Sequence, residues 1–275
     1  MENIVAVNTN TYHGFGVDET LEGIAAVGFK YVELCAVRGW TEHIMPDFPD
    51  EELDRIAAKL KELGLTCVAV GGHCNLTDAA RLNDFRANMK LARRFGAKWI
   101  ISSTGEAHFG EGECLTDDVL IRNIRELVPD LEKYDLRLGI EIHGEYDTGE
   151  KILALVNGVG SDRVGINYDT ANVMFYGGKK PEEEVKTCVE AVNFVHLKDK
   201  VGFDNHWDFP AIGKGDLDLL GFIRYVREHG YGGPFSIEIE HNAEFTMREK
   251  RPGEIEFVND IVRQSWEYLK EHGIV

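Results

Sequence analysis

Paired cysteines, excess positive charge and long apolar runs are all missing from this 275-residue sequence, and each absence removes a class of protein. The five cysteines (Cys35, Cys67, Cys74, Cys114 and Cys188) are odd in number and lack the paired spacing of a zinc knuckle. They read as buried free thiols in a reducing compartment, which excludes a disulfide scaffold and makes the cytoplasm the expected location. Lys and Arg number 30 against 48 Asp and Glu, a formal net charge of −18. That balance favours solubility and repels polyanions, so a nucleic-acid partner is disfavoured unless a local basic groove survives within it. No stretch approaches the roughly 20 apolar residues of a membrane span, and Met1-Glu2-Asn3 leads into a strand without a basic leader. Neither a membrane partner nor a targeting segment is expected.

Linkers, low-complexity tracts and charge blocks are lacking too, so nothing divides the chain into two domains. What is present is a regular alternation of strand and helix signals. Strand patterns fall at 4–10, 31–36, 66–71, 99–104, 138–142, 164–169, 194–198 and 235–240; helical patterns fall at 18–27, 50–63, 77–95, 116–134, 149–156, 181–191, 216–229 and 252–272. Asp50-Glu51-Glu52 and Pro181-Glu182-Glu183-Glu184 supply helix starts, while Gly28, Gly64, Gly96 and Gly230 sit where C-caps belong. Eight right-handed βα units close most economically as a single-domain (β/α)8 barrel spanning 1–275. The 43% of hydrophobic residues can fill its core, and such barrels commonly need about 250 residues. An open doubly wound sheet usually carries a glycine-rich phosphate turn after its first strand. Here that strand runs into Thr9-Asn10-Thr11-Tyr12-His13-Gly14 instead.

Four segments in the C-terminal half end on metal-type ligands. They are Gly-Ile-Glu-Ile-His with Glu141 and His143, Gly-Ile-Asn-Tyr-Asp with Asp169, Asn-Phe-Val-His with His196, and Phe-Ser-Ile-Glu-Ile-Glu with Glu238 and Glu240. Successive strand side chains alternate between faces. Glu141 and His143 therefore share a face with Gly139, Asp169 with Asn167, His196 with Phe194 and Lys198, and Glu238 with Ser236 and Glu240. An ordinary buried strand fills both faces with Val, Ile and Leu. One face turning polar at four successive strand ends marks the rim where a parallel barrel keeps its active site. Three hard oxygen donors and one nitrogen suit Mn²⁺, Mg²⁺ or Co²⁺ better than a structural zinc, which favours thiolates. Three facing carboxylates would also repel without a cation. The plainer alternative pairs Glu141 and Glu238 with Lys198 or Lys200 and leaves His196 a satisfied core histidine.

These residues carry a resemblance. The stretches Gly-Phe-Lys-Tyr-Val-Glu-Leu ending at Leu34, Ile-Glu-Ile-His-Gly at 140–144 and Asn-Tyr-Asp-Thr-Ala-Asn at 167–172 resemble the xylose isomerase-like barrel superfamily. So do His-Leu-Lys-Asp-Lys at 196–200, Trp-Asp-Phe-Pro-Ala-Ile-Gly-Lys-Gly-Asp at 207–216 and Gly-Pro-Phe-Ser-Ile-Glu at 233–238. The likeness runs the full length and falls in the sugar-phosphate isomerase/epimerase branch, with ketose 3-epimerases and inosose dehydratases. More distantly the chain is similar to zinc-dependent abasic-site endonucleases. The motifs are specific for the superfamily and poorly specific for substrate.

The resemblance implies that Glu141, Asp169, His196 and Glu238 hold one divalent ion, Mn²⁺ first, with Mg²⁺, Co²⁺ and Zn²⁺ admissible. It also implies that Glu141 and Glu238 act as an acid/base pair on a bound ketose. Glu240 shares the parity of Glu238 and competes for the ligand role; Glu238 matches the family position that follows Pro-Phe-Ser-Ile. Two departures limit the transfer. The endonucleases and ketose 3-epimerases carry His where this chain has Asn172, which argues against a metal cluster and against nucleic-acid repair. The epimerases carry a sugar-gripping Arg where this chain has Gly202. Lys198, Lys200 or His206 are the candidate replacements.

His143 is expected beside the metal, either as a general base or bonded to a metal ligand. A similar Glu-x-His occurs in relatives that work by β-elimination, including the metal subunit of C-glycoside-cleaving enzymes. His73 is a substrate-binding candidate, while His13 and Glu33 are weaker ones, with a brace for the barrel as the alternative role of Glu33. His108 reads as solvent-facing, and Gly213-Lys214-Gly215 as a tight turn rather than a phosphate cradle. The expected activity is isomerisation or epimerisation of a small carbohydrate or keto-polyol through an enediolate. The alternatives are a metal-dependent lyase or dehydratase and a non-catalytic carbohydrate-binding subunit. Sugar identity, phosphorylation state and oligomeric state stay open, a homo-oligomer among the options.

Overall fold

A computed structural model describes residues 4–105 and 116–275. His108 and Cys114 lie outside the described residues. Eight parallel strands form a closed barrel. The first seven are β1 (Val5–Asn8), β2 (Tyr31–Cys35), β3 (Thr66–Gly71), β4 (Trp99–Ser102), β5 (Arg137–Glu141), β6 (Val164–Asp169) and β7 (Val192–Leu197). After β8 (Asp208–Phe209), a short strand outside the barrel, β9 (Phe235–Ile237) pairs with both β7 and β1 and closes the ring. β10 (His241–Asn242) pairs antiparallel with β8 to make a small clasp at the C-terminal rim. The clasp is an addition to the expected alternation; its two-residue strands are too short to leave a period in the sequence.

The surrounding helices are α1 (Val17–Val27), α2 (Asp50–Glu62), α3 (Leu82–Arg94), α4 (Asp117–Tyr134) and α5 (Gly149–Val159). Next come the one-turn α6 (Asn172–Phe175) and α7 (Pro181–Glu184), then α8 (Leu219–Glu228), α9 (Ala243–Met247) and α10 (Ile255–Glu271). Each long helix turns an apolar stripe to the barrel: Leu53, Ile56 and Leu60 on α2, for example, and Leu120, Ile124, Leu127 and Leu131 on α4. No helix among the described residues is long and apolar enough to cross a membrane.

Several boundaries differ from the pattern, each for a local reason. The first strand stops at Asn8 because its side chain accepts from Asn10 N and starts a 3-10 turn, Thr9–Tyr12. The helix expected from 77 begins at Leu82, since Asp78 caps a 3-10 turn at Ala79–Arg81. The helix expected at 181–191 breaks after α7 into 3-10 turns, Val185–Thr187 and Val189–Ala191. There Thr187 bonds back to the Glu184 carbonyl, the competition by which Thr weakens helices. The last strand ends at Ile237, because Ile239 N turns aside to Thr11 Oγ1.

Two cores result. A large one lies between sheet and helices; a small one fills the barrel with Ala6, Val68, Ala69, Ile101 and Phe194. Small residues around one phenylalanine make Phe194 the floor of the rim, with the His196 ring edge-on at 5.8 Å. Gly139 fits this layer because a Cβ there would come within 2.9 Å of Ile101 and 3.1 Å of Asn167.

Candidate metal centre and active site

Strand register brings the four expected ligands to one layer. Asp169 is directly across from His196, and Leu197 pairs with Ile237, so Glu238 emerges one step above the ladder beside Lys198. Glu141 ends β5 opposite Asn167. One ligand atom from each of Glu141, Asp169, His196 and Glu238 lies within 4.8 Å of the others, and all four residues are buried. His196 sits at the centre. Its Nδ1 is 3.1 Å from Glu141 Oε1, 3.6 Å from Glu238 Oε2 and 4.0 Å from Asp169 Oδ2. Its Nε2 faces the other way, 3.0 and 3.2 Å from the two oxygens of Glu33.

Each carboxylate has one oxygen held by the protein. Glu238 Oε1 accepts from Asn8 Nδ2 at 3.1 Å and Asn10 Nδ2 at 3.0 Å. Asp169 Oδ1 accepts from the backbone of Ala171 and Asn172 at 2.9 and 2.8 Å. Glu141 Oε2 is 2.5 Å from His73 Nε2. The remaining oxygens turn toward the common space, and Asp169 Oδ2 is buried without a hydrogen-bond partner. An unsatisfied buried carboxylate oxygen is costly, and here a cation would satisfy it.

The charge balance points the same way. The cluster gathers five buried carboxylates (Glu33, Glu141, Asp169, Glu238, Glu240), and the buried Lys198 meets three of them. Lys198 Nζ pairs closely with Glu240, lies 3.2 Å from Glu238 Oε2 and 3.8 Å from Asp169 Oδ2, and packs over Phe209. The rest of the negative charge draws protons into the cluster. Burial opposes the imidazolium form of His196, but Glu33, Glu238 and Glu141 outweigh it and hold its pKa well above the usual value. His73 is raised too, burial being outweighed by Glu141. The two histidines in turn overcome burial to hold Glu141 well below the ordinary carboxylate range. Asp169 is pushed up to about 7 by burial, against the pull of Lys198 and with added repulsion from Glu141 and Glu238. A cluster that gathers protons in this way can exchange them for a metal ion, and three carboxylates with one imidazole fit a single divalent ion.

The pocket above the cluster is lined by His73, His143 and Lys198 among the expected substrate-binding and catalytic residues. His143 Nε2 is 3.2 Å from the Tyr176 hydroxyl. Lys200 and His206 do not line it. Lys200 is buried and directs Nζ to the Val201 carbonyl at 2.8 Å, and His206 is exposed on the loop before β8. That loop departs from strand geometry after Leu197, so parity counted onward to Lys200 no longer tells which side a residue faces. Asn172 bonds the Ile142 carbonyl at 3.0 Å and reaches Glu141 Oε1 at 3.4 Å. Glu33 braces His196. The pairing of both glutamates with lysine is half present: Glu238 meets Lys198, whereas Glu141 meets His73 and His196.

Sequence reasoning passed over Asn8, Asn10 and Trp40, which also line the pocket. Trp40 Nε1 donates to Asn10 Oδ1 at 2.8 Å. Asn8 shares the inward parity of Ala6 on β1, a polar ending like that of the four strands above, and that signal was available; Asn10 lies past the strand in the 3-10 turn Thr9–Tyr12, where parity does not apply. Trp40 lies in a loop, where no period applies.

Residues 21–272 match the family model for the xylose isomerase-like TIM barrel, and the chain belongs to that family. No curated protein matches it by sequence. Among solved structures, the chain is similar to a xylose isomerase domain protein from Planctomyces limnophilus, with 21% identity, a TM-score of 0.74 and coverage of 99% of this chain and 96% of that one. It is similar to a D-allulose 3-epimerase from Methylomonas sp. in complex with D-allulose, at 14% identity and a TM-score of 0.77 over 98% and 97% of the two chains. A third is the IOLI protein with a binding zinc atom, at 18% identity and a TM-score of 0.76 over 97% of each. At these identities the likeness is one of fold.

Proposed function

We propose that this protein is a divalent-metal-dependent isomerase or epimerase of a small carbohydrate or keto-polyol. The observation that carries the reading is the pair Glu141 and Glu238. Both are buried at the barrel rim, both approach the same nitrogen of His196, and each keeps one oxygen fixed by neighbours while the other meets the shared space. Glu141, Asp169, His196 and Glu238 would hold the ion, which when bound polarises a carbonyl and acidifies the adjacent C–H. Glu238, with Lys198 and His196 outweighing burial to lower its pKa, is a carboxylate at neutral pH and takes the role of base. Glu141 is its partner for returning the proton. Lys198 faces the pocket between Glu238 and Glu240 and is placed to bind a substrate hydroxyl or enediolate oxygen. The D-allulose complex of one structural neighbour and the zinc of another support this reading.

A second reading, a lyase, is favoured by one contact. His143 and Tyr176 form a further proton-transfer pair at the pocket edge, which a two-carboxylate epimerase does not need and a β-elimination could use. Incubation with a panel of ketoses in deuterated water separates the two. Isomerase or epimerase chemistry places solvent deuterium on the carbon beside the carbonyl and releases nothing. Glu238→Gln should lose that exchange by about 10²–10⁴-fold, and His143→Ala should lose much less. Elimination product without exchange, dependent on His143, would install the lyase; full exchange in Glu238→Gln would remove Glu238 as the base.

A further inference from the structure

Beyond His73 lies a second cavity of about 320 Å³, within the roughly 300–1,000 Å³ of small-molecule sites. Directly over the carboxylates the enclosed space is about 30 Å³, within a pocket that is open at the rim. A ligand that sets its reacting carbons against Glu141 and Glu238 extends from there toward the rim. His73 lines both spaces, so they share a wall.

The second cavity sits between the loop after β2 and the connection from β3 into α3. Two ion pairs face it, one from each side. Arg38 Nη2 is 2.7 Å from Asp47 Oδ1, and Arg81 Nε is 2.7 Å from Asp84 Oδ2. Met45 and Ala87 give it apolar wall. Each pair presents N–H donors and carboxylate lone pairs side by side. Neighbouring hydroxyls of a sugar ring need that combination, because each both donates and accepts. Arg38 also lies 3.8 Å from Glu42 Oε2, so the arginine charges are offset, and an incoming phosphate or carboxylate would have to compete with these carboxylates for its arginine. Neutral ligands carry no such cost.

We propose that this cavity is a subsite for a second, uncharged sugar ring, which makes the substrate a glycosyl-substituted keto sugar rather than a bare monosaccharide or a sugar phosphate. The inference rests on the isomerase/epimerase reading of the adjoining carboxylates and adds the class of substrate.

The test compares deuterium incorporation into D-fructose with that into its glucosylated forms turanose, maltulose and isomaltulose. At least one glucosyl-fructose should exchange with a kcat/KM about ten- to hundredfold above fructose, as binding energy from the remote ring is used at the reacting carbon. In the Arg38→Ala/Arg81→Ala double variant that ratio should fall to near one. The subsite is overturned if fructose is handled as well as every glucosylated form, if the ratio survives in the double variant, or if fructose 6-phosphate is preferred to all of them. If no sugar exchanges, the isomerase/epimerase reading falls, and calorimetry with maltose still tests the cavity. Binding at least about tenfold weaker in the double variant supports a sugar subsite; absent or unchanged binding overturns it.

Discussion

Glu33 grips the far nitrogen of His196, with both carboxylate oxygens within 3.2 Å of Nε2, and so turns Nδ1 toward Glu141, Asp169 and Glu238. The contact fixes the tautomer and orientation of a candidate ligand from behind, and a carboxylate on the second ring nitrogen raises the basicity of the first. Glu33→Gln keeps the shape and one acceptor while removing the charge. The expected result is a Kd for Mn²⁺ weakened about 10–100-fold with thermal unfolding little changed, measured by titration calorimetry. Unaltered affinity would show that Glu33 serves only the packing of β2.

The protons held by the cluster give the ion a signature of its own. His196 and His73 both have raised pKa values, His196 well above the usual one, so the cluster holds protons that an ion would displace. An ion seated among these residues needs a neutral imidazole as ligand, so binding should release protons. Calorimetry in buffers of different ionisation enthalpy should show about one proton or more released per ion at pH 7. Chelator treatment should abolish activity and Mn²⁺ or Co²⁺ restore it, while Glu141→Gln and His196→Ala should lose the ion and remain folded. No stoichiometric binding of any divalent ion would sink the assignment of the site.

The clustering of the four candidate ligands was legible because strands keep parity up to their ends. Glu141, Asp169 and His196 lie within their strands, and Glu238 follows immediately, so alternation alone puts all four on the inner face. Legibility ended where the ladder did. Lys200 and His206 follow β7 in a loop whose path is set by distant contacts, chiefly Asp199 accepting from the backbone of Gly213 and Gly215. The β8–β10 clasp, which forms between segments more than 30 residues apart, was hidden for the same reason. Trp40 reaches the pocket from another loop, held there by contacts such as its bond to Asn10 and its stacking on His13.

A buried histidine away from the cluster sets part of the acid limit of stability. His43 bonds the Phe15 carbonyl at 3.1 Å, and burial lowers its pKa to about 4, the bond only partly opposing this. The unfolded chain therefore takes up this proton first as pH falls below the ordinary value of 6.5. Stability should be intact above that pH and be lost progressively down to about pH 4, by up to about 3 kcal/mol from this residue. Urea unfolding at pH 4 and 7 should show a smaller acid loss in His43→Gln than in the unaltered protein. Equal losses would assign the acid sensitivity to other groups.

The loop that carries Trp207 and Phe209 to the pocket depends on a close approach at Gly215. Asp199 Oδ2 accepts from Gly213 N and Gly215 N at 2.9 Å, and Oδ1 accepts from Lys200 N at 2.9 Å. A Cβ on Gly215 would run into Asp199 Oδ1 and come within 2.5 Å of the Lys200 carbonyl, backbone that cannot move without breaking these bonds. Gly215→Ala should therefore destabilise the protein by about 1–3 kcal/mol, the cost of overpacking. Because the same loop supplies one wall of the pocket, the variant should also raise KM for whatever ketose exchanges, more than Lys214→Ala on the neighbouring residue does. A Gly215→Ala protein with unchanged stability and KM would mean that the clamp does not position the loop.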